Sequence, residues 1–265
     1  MKIYKHWTVE TYTALYGRDQ VQFICYGGSN VSLEDARAQA DKKAERIKLK
    51  IAGKRYQVEN YEVEIREELL REINPQNAIT RNRYGAQVLN SENLLILDID
   101  KPKSGGILSL FKKDSRSPKE QIFDMVSELA ETKYPHYTFR LYETYQGARV
   151  IVLGEDFNPN SLYTEAMMND FHCDPLYTRL CIKQHCFRAR LTPKPARMKL
   201  PNFKVPYPRQ AGDDEFQSWL AEYESLSRGY SVCKLVKQIG SGSYTNDVVR
   251  LHDEMTGIGY PQPLA

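Results

Sequence analysis

"NLLILDIDKP", residues 93–102, drives an apolar run into two aspartates and stops at a proline. Leu94 to Leu97 lead into Asp98, and only Ile99 separates Asp98 from Asp100. On a strand, residues i and i+2 share a face, so both carboxylates point the same way. Like charges held close disfavour each other's ionisation unless a cation sits between them. Mg²⁺ and Mn²⁺ take carboxylate and water ligands and commonly share them with substrate phosphates. The stretch therefore reads as a buried strand ending at a divalent-metal site, with Asp98 and Asp100 as ligands. The plainer alternative is a pair of solvated aspartates flanking one core isoleucine.

A third carboxylate would complete such a site. Asp174 is the first candidate, just ahead of a helix-like run, with Asp156 and Glu143 behind it. Asp174 followed by Pro175 also has the form of a helix N-cap with proline at the first position.

Downstream, the charge becomes one-sided. From Pro175 to Gly212 there is no Asp or Glu, yet there are nine Lys or Arg: Arg179, Lys183, Arg188, Arg190, Lys194, Arg197, Lys199, Lys204 and Arg209. A long single-sign segment suggests an anionic partner such as nucleotides or nucleic acid. The alternative is pairing with acids from the N-terminal half. "FRARLTPKP" sets Arg188 and Arg190 on one face of an extended segment, with Lys194 further on, a spacing that suits a phosphate cradle. Arg149, two residues after the turn glycine Gly147, heads an apolar strand and could grip a phosphate bidentately if it faces the aspartates. Tyr177, Phe187 and Tyr207 offer stacking faces for bases, or core side chains.

Together these features resemble the archaeo-eukaryotic primase superfamily of primase-polymerases: a strand ending in D-x-D, a later strand after a glycine turn, then an Asp ahead of an Arg-rich segment that ends in a Pro turn. The resemblance covers roughly residues 93–195. It implies an RRM-like catalytic sheet, with Asp98 and Asp100 in the first motif and Asp174 in the third. The second motif of that family carries a histidine on the phosphate-binding strand, where this chain has Ala148-Arg149. "LLILDIDKP" also resembles the nucleophile motif of haloacid-dehalogenase-type phosphatases. That motif continues with a small residue and Thr or Val, and Lys101-Pro102 departs from it. His172, Cys173, Cys181, His185 and Cys186 form a second cluster with zinc-ligand chemistry but no C-x-x-C pair. "GSGS" at 240–243 lacks the Lys-Ser/Thr of a P-loop and reads as a linker.

The 265 residues, 41% hydrophobic and 27% charged, suit one large domain or a core with a smaller module. No run approaches the roughly 18 apolar residues of a membrane span. "MKIYKHWTVE" has no apolar segment of a secretory signal. Five cysteines, an odd number, favour a reducing cytoplasm over a disulfide framework.

The periodicity predicts a mixed α+β fold: a largely antiparallel sheet with helices packed on it, plus a small N-terminal α/β module. Residues 1–75 read as a ββαβα unit. It has strands within 2–26, and a helix from Leu33 to Ala52 after Ser32 with Ala36, Ala40, Ile47 and Ile51 on one face. A strand "KRYQVENYEVEI" and a short helix "REELLREI" complete it. Residues 76–240 read as the catalytic core. "AITRNRYGAQVLNSENLLILDIDKP" gives two strands joined at "LNSEN", and a Gly/Ser/Lys-rich loop follows. The helix opening at Ser117-Pro118 leads to a hairpin turning at Gly147, two more helices, the basic extended segment, and a final helix and strand. Residues 241–265 read as a tail with a short helix. The expected activity is metal-dependent nucleotidyl or phosphoryl transfer. The alternative is a non-catalytic nucleic-acid-binding module on the same fold.

Overall fold

The computed structural model describes residues 1–53, 63–101, 116–203, 207–208, 214–242 and 246–265. Most of the strand expected at 54–65, most of the Gly/Ser/Lys-rich stretch, Lys204, Arg209 and Ser243 of the 240–243 linker lie outside these residues. The protein is a mixed α+β chain whose sheet strands pair antiparallel. Among the described residues, no helix is long and apolar enough to cross a membrane.

At the N-terminus, β1 (His6–Tyr16) and β2 (Asp19–Ser29) form a hairpin. Helix α1 (Leu33–Ile51) lies on it, and the Ser32 side chain caps the helix by accepting from the Asp35 amide. The buried face of α1 is Ala36, Ala40 and Ala44 rather than the isoleucines, and Ile47 is exposed. Small side chains let the helix approach closely. A Cβ on Gly27 would stand 1.8 Å from the Ala36 carbonyl oxygen, so only glycine fits there.

One four-stranded sheet runs β3 (Glu68–Asn74), β4 (Asn77–Arg81), β5 (Gln87–Ser91) and β9 (Phe187–Arg190). "REELLREI" is therefore a strand, not the expected short helix. Its helix-forming residues are overridden by pairing with β4 across a tight turn, with Asn74 opposite Asn77. The expected 75/76 boundary falls inside this hairpin. The next stretch holds three strands, not two. Asn82 Oδ1 accepts from the Tyr84 and Ala86 amides and Gly85 takes φ 81°, closing a turn between β4 and β5. The "LNSEN" stretch lies in β5 and the connection by which the chain leaves this sheet.

The other four-stranded sheet runs β10 (Cys233–Ile239), β7 (Thr138–Thr144), β8 (Gly147–Leu153) and β6 (Ile96–Asp100). Its two faces differ. Leu97, Ile99, Phe139, Leu141, Val150 and Val152 are fully buried in the main core with α2 (Pro118–Thr132) and α3 (Leu162–Asp170). Helix α2 starts with a capping box of Ser117 and Glu120 and a proline in the first turn, as its sequence predicts. The opposite face carries Asp98, Asp100, Arg140, Tyr142 and Arg149. Helix α6 (Asp247–Thr256), from the segment expected as a tail, covers part of that face. Helix α4 (Pro175–Gln184) joins α3 to β9. Helix α5 (Asp214–Ser227) builds a second small core from Phe216, Trp219 and Tyr223 with Met198 and Leu200.

Candidate functional site

The face holding Asp98 and Asp100 meets β9 and the turn beyond it, and a small, strongly polar pocket forms between them. Asp98, Asp100, Thr144, Arg149, Arg190 and Arg197 line it. The strand register explains the assembly. Asp98 pairs directly with Arg149 and Asp100 with Gly147 on the neighbouring strand. Alternation then turns Asp98, Asp100 and Arg149 to one face. Gly147 is required there, because a Cβ would lie 2.0 Å from the Ile99 carbonyl oxygen.

Arg149 is 4% exposed and anchored on the inner side. Its Nη1 donates to the Arg190 carbonyl at 3.0 Å and contacts His252 Nε2 at 3.1 Å. Arg190 enters from β9. Its Nε is shielded from solvent and has no hydrogen-bond partner among the described residues. Burial pushes its guanidinium down to about 10, with the nearby Arg197 and Arg149 charges adding and Asp98 opposing. Arg197 arrives on the single helical turn Pro195–Met198, stacks 4.5 Å over Tyr145 and donates to Gln146 Oε1 at 3.1 Å. Lys194 is exposed beside them. Burial, then Arg190 and Arg197, lower its pKa. Cations crowded until they depress one another, with an unpartnered buried N–H, are electrostatically incomplete without an anion.

The Asp100 carboxylate is likewise disfavoured in its charged form. Burial, then Asp98 and Asp174, raise the Asp100 pKa, against the pull of Arg197 and Arg190. A carboxyl whose folded pKa is raised costs the fold stability as the pH rises from its unfolded value through its folded one. A cation at Asp98 and Asp100 would relieve that cost.

Asp174 does not line the pocket. Its amide donates to the Asp98 carbonyl at 3.0 Å, which brings it beside β6. Its carboxylate, however, caps α4 by accepting from the Tyr177 amide at 2.7 Å. Among the described residues, no group of three or more His, Cys, Asp or Glu is placed to hold a metal ion. Asp156 and Glu143 do not supply the third ligand: Asp156 accepts from Asn93, and Glu143 pairs with Lys119. Two carboxylates on one face fit Mg²⁺ or Mn²⁺ only as a site finished by water and substrate phosphate.

Arg188 also stays out of the pocket. It donates to Glu67 Oε2 at 2.5 Å and Asn90 Oδ1 at 2.7 Å, so this member of the basic segment meets an acid from the N-terminal part of the chain. Phe187 is fully buried, and the Tyr177 hydroxyl donates to the Ile96 carbonyl, so both serve the core rather than stacking. Among the described residues the Cys/His cluster does not bring three or more ligands together for a metal ion, and burial pushes the Cys181 and Cys186 thiols up to about 12 and Cys173 higher still.

Three residues at the site were not singled out by sequence reasoning. Arg197 lies within the acid-free segment, but nothing local marks it above its neighbours. His252 and Asp253 of α6 stand over 100 residues from Arg149, and no spacing announces that they reach it. Compared with known proteins, the chain matches no family model, no curated protein and no solved structure.

Proposed function

We propose that this chain is a divalent-metal-dependent nucleotidyl- or phosphoryl-transfer protein acting on nucleotides or nucleic acid, a divergent relative of the primase-polymerases. The observation that carries this reading is the single pocket in which Asp98 and Asp100 meet Arg149, Arg190 and Arg197. Carboxylates of one face beside three guanidiniums match a phosphate chain whose charge is shared between cations and arginine. Bound Mg²⁺ or Mn²⁺ would supply charge neutralisation at the attacking and leaving oxygens. Asp98 and Asp100 would hold it. Arg190 and Arg197 would bind and orient the phosphates from the opposite wall, and Lys194 would meet the ligand at the exposed edge. The five cysteines are all free and buried, which supports a cytoplasmic setting.

A second reading has its own support: the Asp174 carboxylate is occupied as a helix cap, and among the described residues no complete protein-borne metal set is assembled. On that reading the pocket binds a phosphorylated ligand without metal and does no chemistry.

Calorimetry with Mn²⁺ separates the two. The transfer reading expects Mn²⁺ to bind wild type and raise its melting temperature, and Asp98→Asn with Asp100→Asn to abolish both effects while the fold survives. Given a primed template, Mn²⁺ and labelled nucleotides, wild type should turn over. Nucleotide binding unaffected by Mn²⁺, without turnover, would leave the binding module as the better description.

A further inference from the structure

His252 is completely buried in α6, at the back of the pocket wall. One ring nitrogen, Nε2, is 3.1 Å from Arg149 Nη1, and the other, Nδ1, is 3.0 Å from Asp253 Oδ1. A guanidinium only donates hydrogen bonds. Nε2 must therefore accept, which places the ring proton on Nδ1, donating to Asp253. Asp253 is fixed in turn by the Tyr142 hydroxyl at 2.8 Å and by Arg140. The Tyr142 ring also packs edge-on against the imidazole, with centroids 5.1 Å apart. The groups facing this histidine are Arg149, Arg140, Asp253, Tyr142 and the Cys233 thiol beside Arg149. Burial, with the two arginines, brings the imidazole down to about 4 against the pull of Asp253, so it is neutral at physiological pH.

What this neutral acceptor does follows from the alternative. Asp98 stands directly across the ladder from Arg149. A carboxylate is the natural partner for a buried guanidinium. Yet the partners of Arg149 are the Arg190 carbonyl, the histidine and the Cys233 thiol, with no Asp98 ion pair within 4.0 Å among the described residues. A neutral acceptor holds the guanidinium in place without cancelling its charge, and it leaves Asp98 uncommitted.

We propose that His252, locked in one tautomer by Asp253, is a positioning residue: it holds Arg149 away from Asp98, keeping that arginine's charge for a bound phosphate chain and the Asp98 carboxylate for a cation. This rests on the pocket being a phosphate site. Inorganic tripolyphosphate is the probe, titrated without metal into the full chain. His252→Gln keeps an acceptor where Nε2 lies, whereas His252→Leu keeps bulk and removes it. The Leu variant should bind tripolyphosphate about 10-fold more weakly, the scale of one charge-assisted hydrogen bond, and the Gln variant should stay within about threefold of wild type. Thermal melts of both place the titrations where each is folded. Parallel affinity losses tracking the melting temperatures, or a Leu variant with wild-type affinity, would show a merely structural histidine. Long-range ¹H–¹⁵N spectra give a readout that needs no variant: His252 should show the Nδ1–H tautomer from pH 5 to 8, and the other tautomer defeats the proposal. If wild type and Arg190→Ala alike fail to bind tripolyphosphate, the phosphate reading itself falls, an outcome distinct from failure of the histidine's role alone.

Discussion

Arg190→Ala is expected to cost about 10²-fold or more in nucleotide turnover, the usual scale for removing one donor aimed at developing charge. Binding should suffer as well, because the buried Arg190 Nε has no hydrogen-bond partner among the described residues to claim it. The salt dependence gives a second measure. Each phosphate neutralised on a single strand contributes roughly 0.7 to the slope of log affinity against log salt. Replacing Arg190, Lys194 and Arg197 together should flatten that slope by about 2 units. Protein stability should hold or rise, since Arg190 and Lys194 are each disfavoured by the neighbouring arginine charges. Turnover and slope both at wild-type values would mean that the pocket is not where phosphate sits.

Two residues away on the same strand, the expectation reverses. Arg188→Ala should leave nucleotide affinity largely intact and cost about 3–5 kcal/mol of stability, the range for stripping one partner from a buried ion pair. Arg188 and Glu67 are only 20% and 14% exposed at their side chains. Among the described residues Glu67 would keep just the Thr80 hydroxyl at 2.6 Å. Asn90 would lose the guanidinium it accepts from, and this asparagine is fully buried between β4 and β9. In a chain of this size the loss should lower the melting temperature by roughly 6–20 °C. Replacing both partners, Glu67→Gln with Arg188→Met, should recover much of it, because well-packed neutral groups often match a buried pair in stability. Denaturant melts of the two single variants and the double variant test this. An Arg188→Ala protein that melts like wild type but loses nucleotide would place Arg188 in the binding machinery instead.

These opposite expectations mark how far the sequence could be read. Alternation alone put Asp98 and Asp100 on one face, and the glycine turn put Arg149 on a buried strand. Pairing of β6 with β8 brings the three together, an arrangement that local pattern could only make conditional. Arg188 and Arg190 look equivalent in "FRAR", with the same residue type and the same face. What separates them is Glu67, brought in by a strand whose "EELLRE" composition favours helix. The identity of an arginine's partner is long-range information, and the misread strand concealed it. The same holds for α6. A histidine in an amphipathic C-terminal helix carries no local sign that its ring will stand behind Arg149. Caps and tight turns were legible because their chemistry is complete within four residues, as at Ser32, Ser117 and Asp174. Asp174 shows the limit of that legibility: one carboxylate suits a helix cap and a metal ligand equally on paper, and only the fold shows it capping α4.

Strand β6 lies at the edge of its sheet, and edges invite other chains. Here the N-terminus of α4 closes it: the Tyr177 hydroxyl and the Asp174 amide take the carbonyls of Ile96 and Asp98. In the unfolded chain that cover is gone, and "LLILDI" is the kind of short, β-prone, nearly uncharged window that seeds intermolecular sheets. Asp98 and Asp100 are then its gatekeepers, interrupting and flanking the apolar run with charge. The pair proposed to hold a cation in the native state thus also guards the nascent chain against self-association. Amide substitutions that silence the site would weaken that protection, and their cost would surface as aggregation during synthesis and refolding even where the native protein is no less stable.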